Sequence, residues 1–106
     1  QDVQATLAAF TVQSAATALN SVLPNVQELL VCGGGALNGN LMQLLARALP
    51  ASRVQSTRAA NVDPMHVEAA AFAWLAHALL TRQPGNIPAV TGAIGFRPLG
   101  AWHRAI

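Results

Sequence analysis

Apolar residues recur at spacings of three to five from about Asp2 to Val22, at Val3, Leu7, Phe10, Ala15, Leu19 and Val22. In an alanine-rich background that spacing predicts a helix with one apolar stripe, ended by Pro24 and Asn25. The next apolar run does not alternate. Leu29, Leu30, Val31 and Cys32 are apolar at every position and close on Gly33, Gly34 and Gly35, which predicts a short strand buried on both faces, as in a parallel sheet. Helical spacing returns at Leu41, Leu44, Leu45 and Ala48, from near Gly39 to Leu49. Asn38 precedes it as an N-cap able to accept from the free amides of the first turn, and Pro50 stops it. Arg53-Val54-Gln55-Ser56 alternates and predicts a second short strand. Asp63-Pro64 reads as a cap followed by proline at the first helical position. The helix it opens runs to about Thr81, with Val67, Ala70, Ala71, Trp74, Leu75, Ala78 and Leu79 on one broad face. Beyond it, Gln83-Pro84-Gly85-Asn86 and Thr91-Gly92 punctuate an irregular tail.

The predicted order is helix, strand, helix, strand, helix. Alternation of this kind gives an α/β fold with parallel strands joined by helical crossovers. Two strands are too few, because a parallel sheet needs neighbours and cover on both faces. The sheet is therefore expected to be incomplete, its missing strands supplied by further sequence or by a second copy. Residues 1–106 read as a single fragment: helix and linker over 1–28, strand-glycine turn-helix-strand-helix over 29–82, and the tail over 83–106.

Composition sharpens this reading. The chain is 53% hydrophobic and only 9% charged, against a usual charged share of about 25%, which excludes disorder and suggests a surface meant to be covered. Self-association follows as an expectation. The net charge of +2 comes from a scarcity of charge. Arg47, Arg53, Arg58, Arg82, Arg97 and Arg104 are scattered, so no nucleic-acid footprint is expected. The uncharged stretch from Val3 to Gln27 carries ten amide or hydroxyl side chains, too polar for a membrane span. One cysteine leaves no internal disulfide and fits a cytoplasmic location. The sequence opens Gln1-Asp2-Val3, with neither an initiator methionine nor a basic signal region, so the natural chain is expected to begin earlier.

The glycines carry the sharpest candidate chemistry. Three of them after a buried strand allow a tight bend and let a ligand lie directly on the main chain. The helix that follows offers free amides and a partial positive charge, at the strand end where open α/β sheets bind ligands. The same tripeptide also suits a plain strand-to-helix turn. It is neither a dinucleotide fingerprint nor a phosphate loop and fits a nucleoside resting on backbone better than a phosphate clamp. Glu68 near the start of the last helix either complements the helix dipole or binds a hydroxyl or water at the rim of the glycine turn. Asp63 reads as a cap. Cys32 reads as a small apolar filler of the strand, and His66, His77 and His103 have no metal-ligand spacing. No catalytic residue and no metal ligand is expected in these residues. A small self-associating α/β module without nucleotide binding fits the same pattern.

Three blocks in order resemble one family. Leu30-Val31-Cys32-Gly33-Gly34-Gly35-Ala36-Leu37-Asn38, then Leu41-Met42, resembles the CGGGAxNxxLM segment of the anhydro-N-acetylmuramic acid kinases. Val67-Glu68-Ala69-Ala70-Ala71-Phe72-Ala73-Trp74-Leu75-Ala76 resembles their xEAxAFAWLA helix, and Pro84 to Ala93 with Leu99-Gly100 resembles their GNLPxVTGA…LG signature. The resemblance implies the C-terminal lobe of a two-lobed, actin-like ATPase fold. It implies an enzyme that uses ATP and Mg²⁺ to phosphorylate 1,6-anhydro-N-acetylmuramate at O6 while water opens the anhydro bridge. Carried onto this sequence, it places Gly33, Gly34, Gly35 and Asn38 at the adenosine end of ATP and Glu68 on the sugar side. This chain departs from the pattern at Gly39, where the family often has proline, and at Ser56-Thr57-Arg58 to Asp63, where the family usually has other acidic residues. The family's phosphate-binding loop and catalytic aspartate have no counterpart here, so the chain alone is expected to transfer no phosphate.

Overall fold

The computed structural model describes residues 2–103; Gln1 and residues 104–106, Arg104 among them, lie outside the described residues. The elements are α1 (Asp2–Val22), β1 (Glu28–Val31), a 3₁₀ turn (Gly34–Leu37), α2 (Gly39–Ala48), β2 (Arg53–Ser56), a second 3₁₀ turn (Thr57–Ala60), α3 (Val67–Leu80) and α4 (Pro88–Thr91). Among the described residues the sheet has two strands, which pair in parallel with Glu28 opposite Arg53 and Val31 opposite Ser56. This is the α/β architecture with an incomplete parallel sheet that the sequence predicts. The chain divides into two compact units, one up to Val67 and one from Glu68 on. No helix of the described residues is long and apolar enough to cross a membrane.

In the first unit α1 packs against α2. The core is small: Val12 and Ala16 from α1, Leu45 from α2 and Leu49 just after it, with Pro64 also fully buried. The buried line of α1 shares only Leu19 with the predicted stripe. Val3, Leu7, Phe10 and Val22 are 59–74% exposed, whereas Ala8 and Leu19 are half-buried beside Val12 and Ala16. Most side chains on that line are short, and the large Val3, Leu7, Phe10 and Val22 are left outward. Ser52 Oγ, just before β2, donates to the Val26 carbonyl (2.7 Å), and Gln55 Nε2 within β2 donates to Glu28 Oε1 at the start of β1 (2.9 Å), tying the two strands together.

Two expectations for this unit need correction. The first strand ends at Val31, so Cys32 lies past it and is exposed, and Leu30 is 37% exposed. Burial on both faces requires cover that a two-stranded sheet does not supply. The last helix begins at Val67, not Pro64. Asp63 Oδ1 accepts from Met65 N (2.9 Å) and its carbonyl from His66 N (3.0 Å), closing a separate turn. The Pro64 carbonyl, which a helix starting there would spend on the amide four residues on, accepts instead from Gly33 N at 2.8 Å.

The second unit holds nearly all of α3 and the tail. Ala78 is buried, and Leu75 and Leu79 are half-buried, while Phe72 and Trp74 are 64% and 52% exposed. The helix closes through Arg82 in the left-handed region (φ 55°), with Arg82 N donating to Leu79 O (3.1 Å) and Gln83 N to Ala78 O (2.8 Å), the paired-bond ending that reverses a chain after a helix. The irregular tail contains one ordered piece. Proline opens α4 and Gly92 (φ 71°) closes it. Asn86 braces the loop around it with both ends of its amide: Nδ2 donates to Gly95 O (3.0 Å) and Oδ1 accepts from Arg97 N (2.7 Å).

Exposed area shows how much of this surface lacks cover. The chain exposes 8249 Å². A compact protein of 11.0 kDa exposes about 5,600 Å², and two separately compact units divided at Val67 about 6,700 Å² in all.

Candidate functional site

The site is built where β1 ends. Gly33 has φ 74° and ψ −172°, a conformation essentially restricted to glycine, and its N–H is tied to Pro64 O. The chain then turns through one 3₁₀ turn, with Ala36 N on Gly33 O and Asn38 N on Gly35 O, each at 3.1 Å. Asn38 is extended (φ −87°, ψ 98°); its Oδ1 accepts from Leu41 N at 3.1 Å and its carbonyl from Met42 N at 3.0 Å. The cap inferred from sequence is therefore formed, and it fixes the direction in which α2 leaves the turn.

The three glycines serve different ends. Gly33 is required by its positive φ. A Cβ on Gly35 would lie 3.3 Å from Leu41 Cδ2, so Gly35 lets the turn settle on α2. Gly34 has neither reason: its backbone is not left-handed, and a Cβ there would meet nothing within 4 Å. Its bare main chain borders open space. An i→i+3 turn leaves its first amides without internal acceptors, so the Gly34 and Gly35 N–H groups are the donors this surface offers. Asn38 Oδ1 is spent on the cap, which leaves its Nδ2 as a further donor.

Asn38 also lines a groove of about 520 Å³ between the first turns of α1 and α2, with Gln4, Ala5, Leu7, Ala8 and Asn40. Gln4 and Asn40 were not legible as site residues, because only the packing of α1 on α2 brings them together. β2 ends on the same side of the sheet as β1. There Ser56 Oγ accepts from Arg58 N (3.2 Å), and Thr57 Oγ1 is buried with no hydrogen-bond partner among the described residues. Gly33, Gly34, Gly35 and Asn38 thus share one turn of the first unit. Glu68 is the second residue of α3, exposed, in the second unit.

Asp63 holds the loop that meets Gly33. The Met65 N–H on its carboxylate lowers its pKa below the ordinary 3.8; partial loss of water opposes this, and the charge of Arg58, 3.2 Å away, lowers it further. A folded pKa below the unfolded one gives stability that is full above about pH 3.8 and is lost as pH falls through the folded value. Melting temperatures followed from pH 6 to 2 should therefore drop less steeply at the acid end for Asp63→Asn than for the native chain; equal slopes would remove Asp63 from this role.

The sequence model of the anhydro-N-acetylmuramic acid kinases matches residues 1–105. The chain belongs to that family. Anhydro-N-acetylmuramic acid kinases from Pseudomonas paraeruginosa, Nitrosomonas europaea and Pseudomonas putida are 50%, 49% and 53% identical to it over 105 residues. Each match covers 99% of this chain and 29% of the relative, so the chain spans less than a third of the length of the curated relatives it matches. In this chain the three resembling blocks fall on β1 with the glycine turn, on α3, and on the loop around α4. Gly39 opens α2 with open space where its Cβ would be, a first helical position that proline can fill without loss.

Proposed function

We propose that this chain forms the adenosine side of the nucleotide cleft of an ATP-dependent kinase acting on 1,6-anhydro-N-acetylmuramate in the recycling of cell-wall sugars. The observation that carries this reading is Gly34. It is the one glycine of the turn that neither the backbone nor a neighbouring side chain requires, so its exposed main chain is explained by something that lies against it. A ribose or the α-phosphate there would accept from the Gly34 and Gly35 N–H groups, with Asn38 Nδ2 as a third donor. In the reaction water adds to the anomeric carbon, the bond from that carbon to O6 breaks, and O6 takes the γ-phosphoryl group of ATP. The products are N-acetylmuramate 6-phosphate and ADP. Glu68 is assigned to the sugar side, where its carboxylate would hold a hydroxyl.

Among the described residues no three His, Cys, Asp or Glu side chains gather, and the glycine turn carries no carboxylate. Mg²⁺ on this reading rides on the ATP phosphates, and its protein ligands and the base that activates water belong to the remainder of the enzyme. A cytoplasmic location, where ATP is available, belongs to the same reading. So does covering of the exposed apolar faces of α1 and α3 by further chain or a second copy. Titrating ATP and ADP into the ¹⁵N-labelled chain tests it. The amide signals of Gly34, Gly35 and Asn38 should move at millimolar nucleotide, while a coupled assay with anhydromuramate shows no turnover. Unmoved signals would favour a self-associating module that binds no nucleotide, and robust turnover would contradict the half-site.

A further inference from the structure

We propose that Asn38-Gly39 is a site of spontaneous modification, where the main chain expels ammonia from the Asn38 side chain and leaves a carboxylate in place of the amide donor beside the glycine turn. The modification stands on local chemistry alone; its effect on binding rests on the nucleotide reading above. An asparagine side chain is open to attack by the main-chain nitrogen of the residue that follows, and a side chain on that residue shields the nitrogen. Only at Asn38 is the shield missing. The other asparagines precede Ser21, Val26, Leu41, Val62 or Ile87. Asn38 and Gly39 are both exposed, and the space where a Gly39 Cβ would lie is open. Gly39 is the first residue of α2, so its N–H has no partner within the helix.

The Gly39 nitrogen gives up its proton to solvent base and bonds to Asn38 Cγ, the bond from Cγ to Nδ2 breaks, and Nδ2 takes up a proton and departs as ammonia. The product is a cyclic imide. Water then opens it at either carbonyl: at Cγ it restores the original main chain with an aspartate in place of Asn38, and at the main-chain carbonyl it leaves isoaspartate, one methylene longer. Nothing is oxidised or reduced. The fold restrains this reaction, because Asn38 Oδ1 is held by Leu41 N at 3.1 Å and must let go before the ring can close. The site therefore reacts through brief openings of the first turn of α2. An aspartate there still accepts from Leu41 N and complements the helix dipole, so the fold survives. The Nδ2 donor is lost, and a negative charge stands where an anionic nucleotide is proposed to rest.

The test ages the ¹⁵N-labelled chain in warm, mildly alkaline buffer and follows it by peptide mapping and by the Asn38 side-chain NH₂ signal. Replacement of NH₂ by OH should accumulate at Asn38 at least about tenfold faster than at Asn20 or Asn86. It should quicken as pH rises and yield aspartate and isoaspartate together, the signature of a cyclic intermediate. Gly39→Pro removes the attacking N–H and should abolish the change without lowering the melting temperature, because proline suits a first helical position and the extended Asn38 (φ −87°, ψ 98°) before it. Asn38→Asp should melt no earlier than the native chain yet bind ATP at least about tenfold more weakly. A rate at Asn38 no higher than at the other asparagines, or a change that persists in Gly39→Pro, would overturn the site. Native ATP binding by Asn38→Asp would overturn its effect on the nucleotide. Silence at Gly34 and Gly35 when ATP is added to the fresh chain would overturn the nucleotide reading and leave the loss of ammonia standing.

Discussion

Leu45→Ala should lower the stability of the first unit by about 2–5 kcal/mol. Leu45 is 7% exposed and sits with Leu49 (4%), Val12 (6%) and Ala16 (3%) in the core of that unit. Its neighbours on α1, Val12 and Ala16, have side chains too short to fill the space left behind. The removed atoms lose their burial, and most of the cavity persists. Against a total stability of about 5–15 kcal/mol for an ordinary domain, and less for one this poorly covered, such a loss approaches complete unfolding. Urea unfolding followed by helical circular dichroism reads it directly. A loss below about 1 kcal/mol would mean that the contact of α1 with α2 is not what holds the unit together.

Gly33→Ala and Gly34→Ala should separate stability from binding. At Gly33 an alanine must adopt φ 74° with ψ −172°, at a cost of about 1–3 kcal/mol. It must also keep its N–H on Pro64 O, so relaxing the backbone gives up that bond. Gly34→Ala meets open space within a helical turn and should leave stability the same or slightly raised, yet its methyl occupies the surface on which the nucleotide is proposed to rest. Thermal melts and nucleotide titrations of both variants give the pattern: Gly33→Ala melts early, and Gly34→Ala melts normally but binds at least about tenfold more weakly, the loss of one hydrogen-bonded contact. Normal binding by Gly34→Ala would leave the bare backbone at that position without a purpose.

The architecture was legible because its signals are local. Asn38 caps α2 through a side chain three residues from its partner, the four residues of β2 alternate, and proline and glycine punctuate nearly every boundary. Features that failed to show depend on distant parts of the chain. An alanine-rich helix such as α1 offers several faces of similar hydrophobicity, so spacing picked the large residues while packing chose the line through Val12 and Ala16. Asp63-Pro64 has the local form of a helix start, but the Pro64 carbonyl is claimed by Gly33, which is distant in sequence. The apolar run of β1 reports the cover it is suited to, and the described chain supplies only part of that cover. For the candidate site, the glycine turn stood out at once, whereas Gln4 and Asn40 became neighbours only through the docking of two helices.

The loop held by Asn86 has its shape written in polar bonds and not in a hydrophobic interior. Val90, Ile94 and Phe96 are 81%, 104% and 63% exposed on or beside it, and none of them is needed to keep the backbone in place. Scaffold and surface are thereby decoupled: the outward apolar residues can drift in sequence, or be exchanged for soluble ones, without unravelling the frame that carries them, whereas a change at Asn86 would undo the frame and leave every one of those residues unaltered.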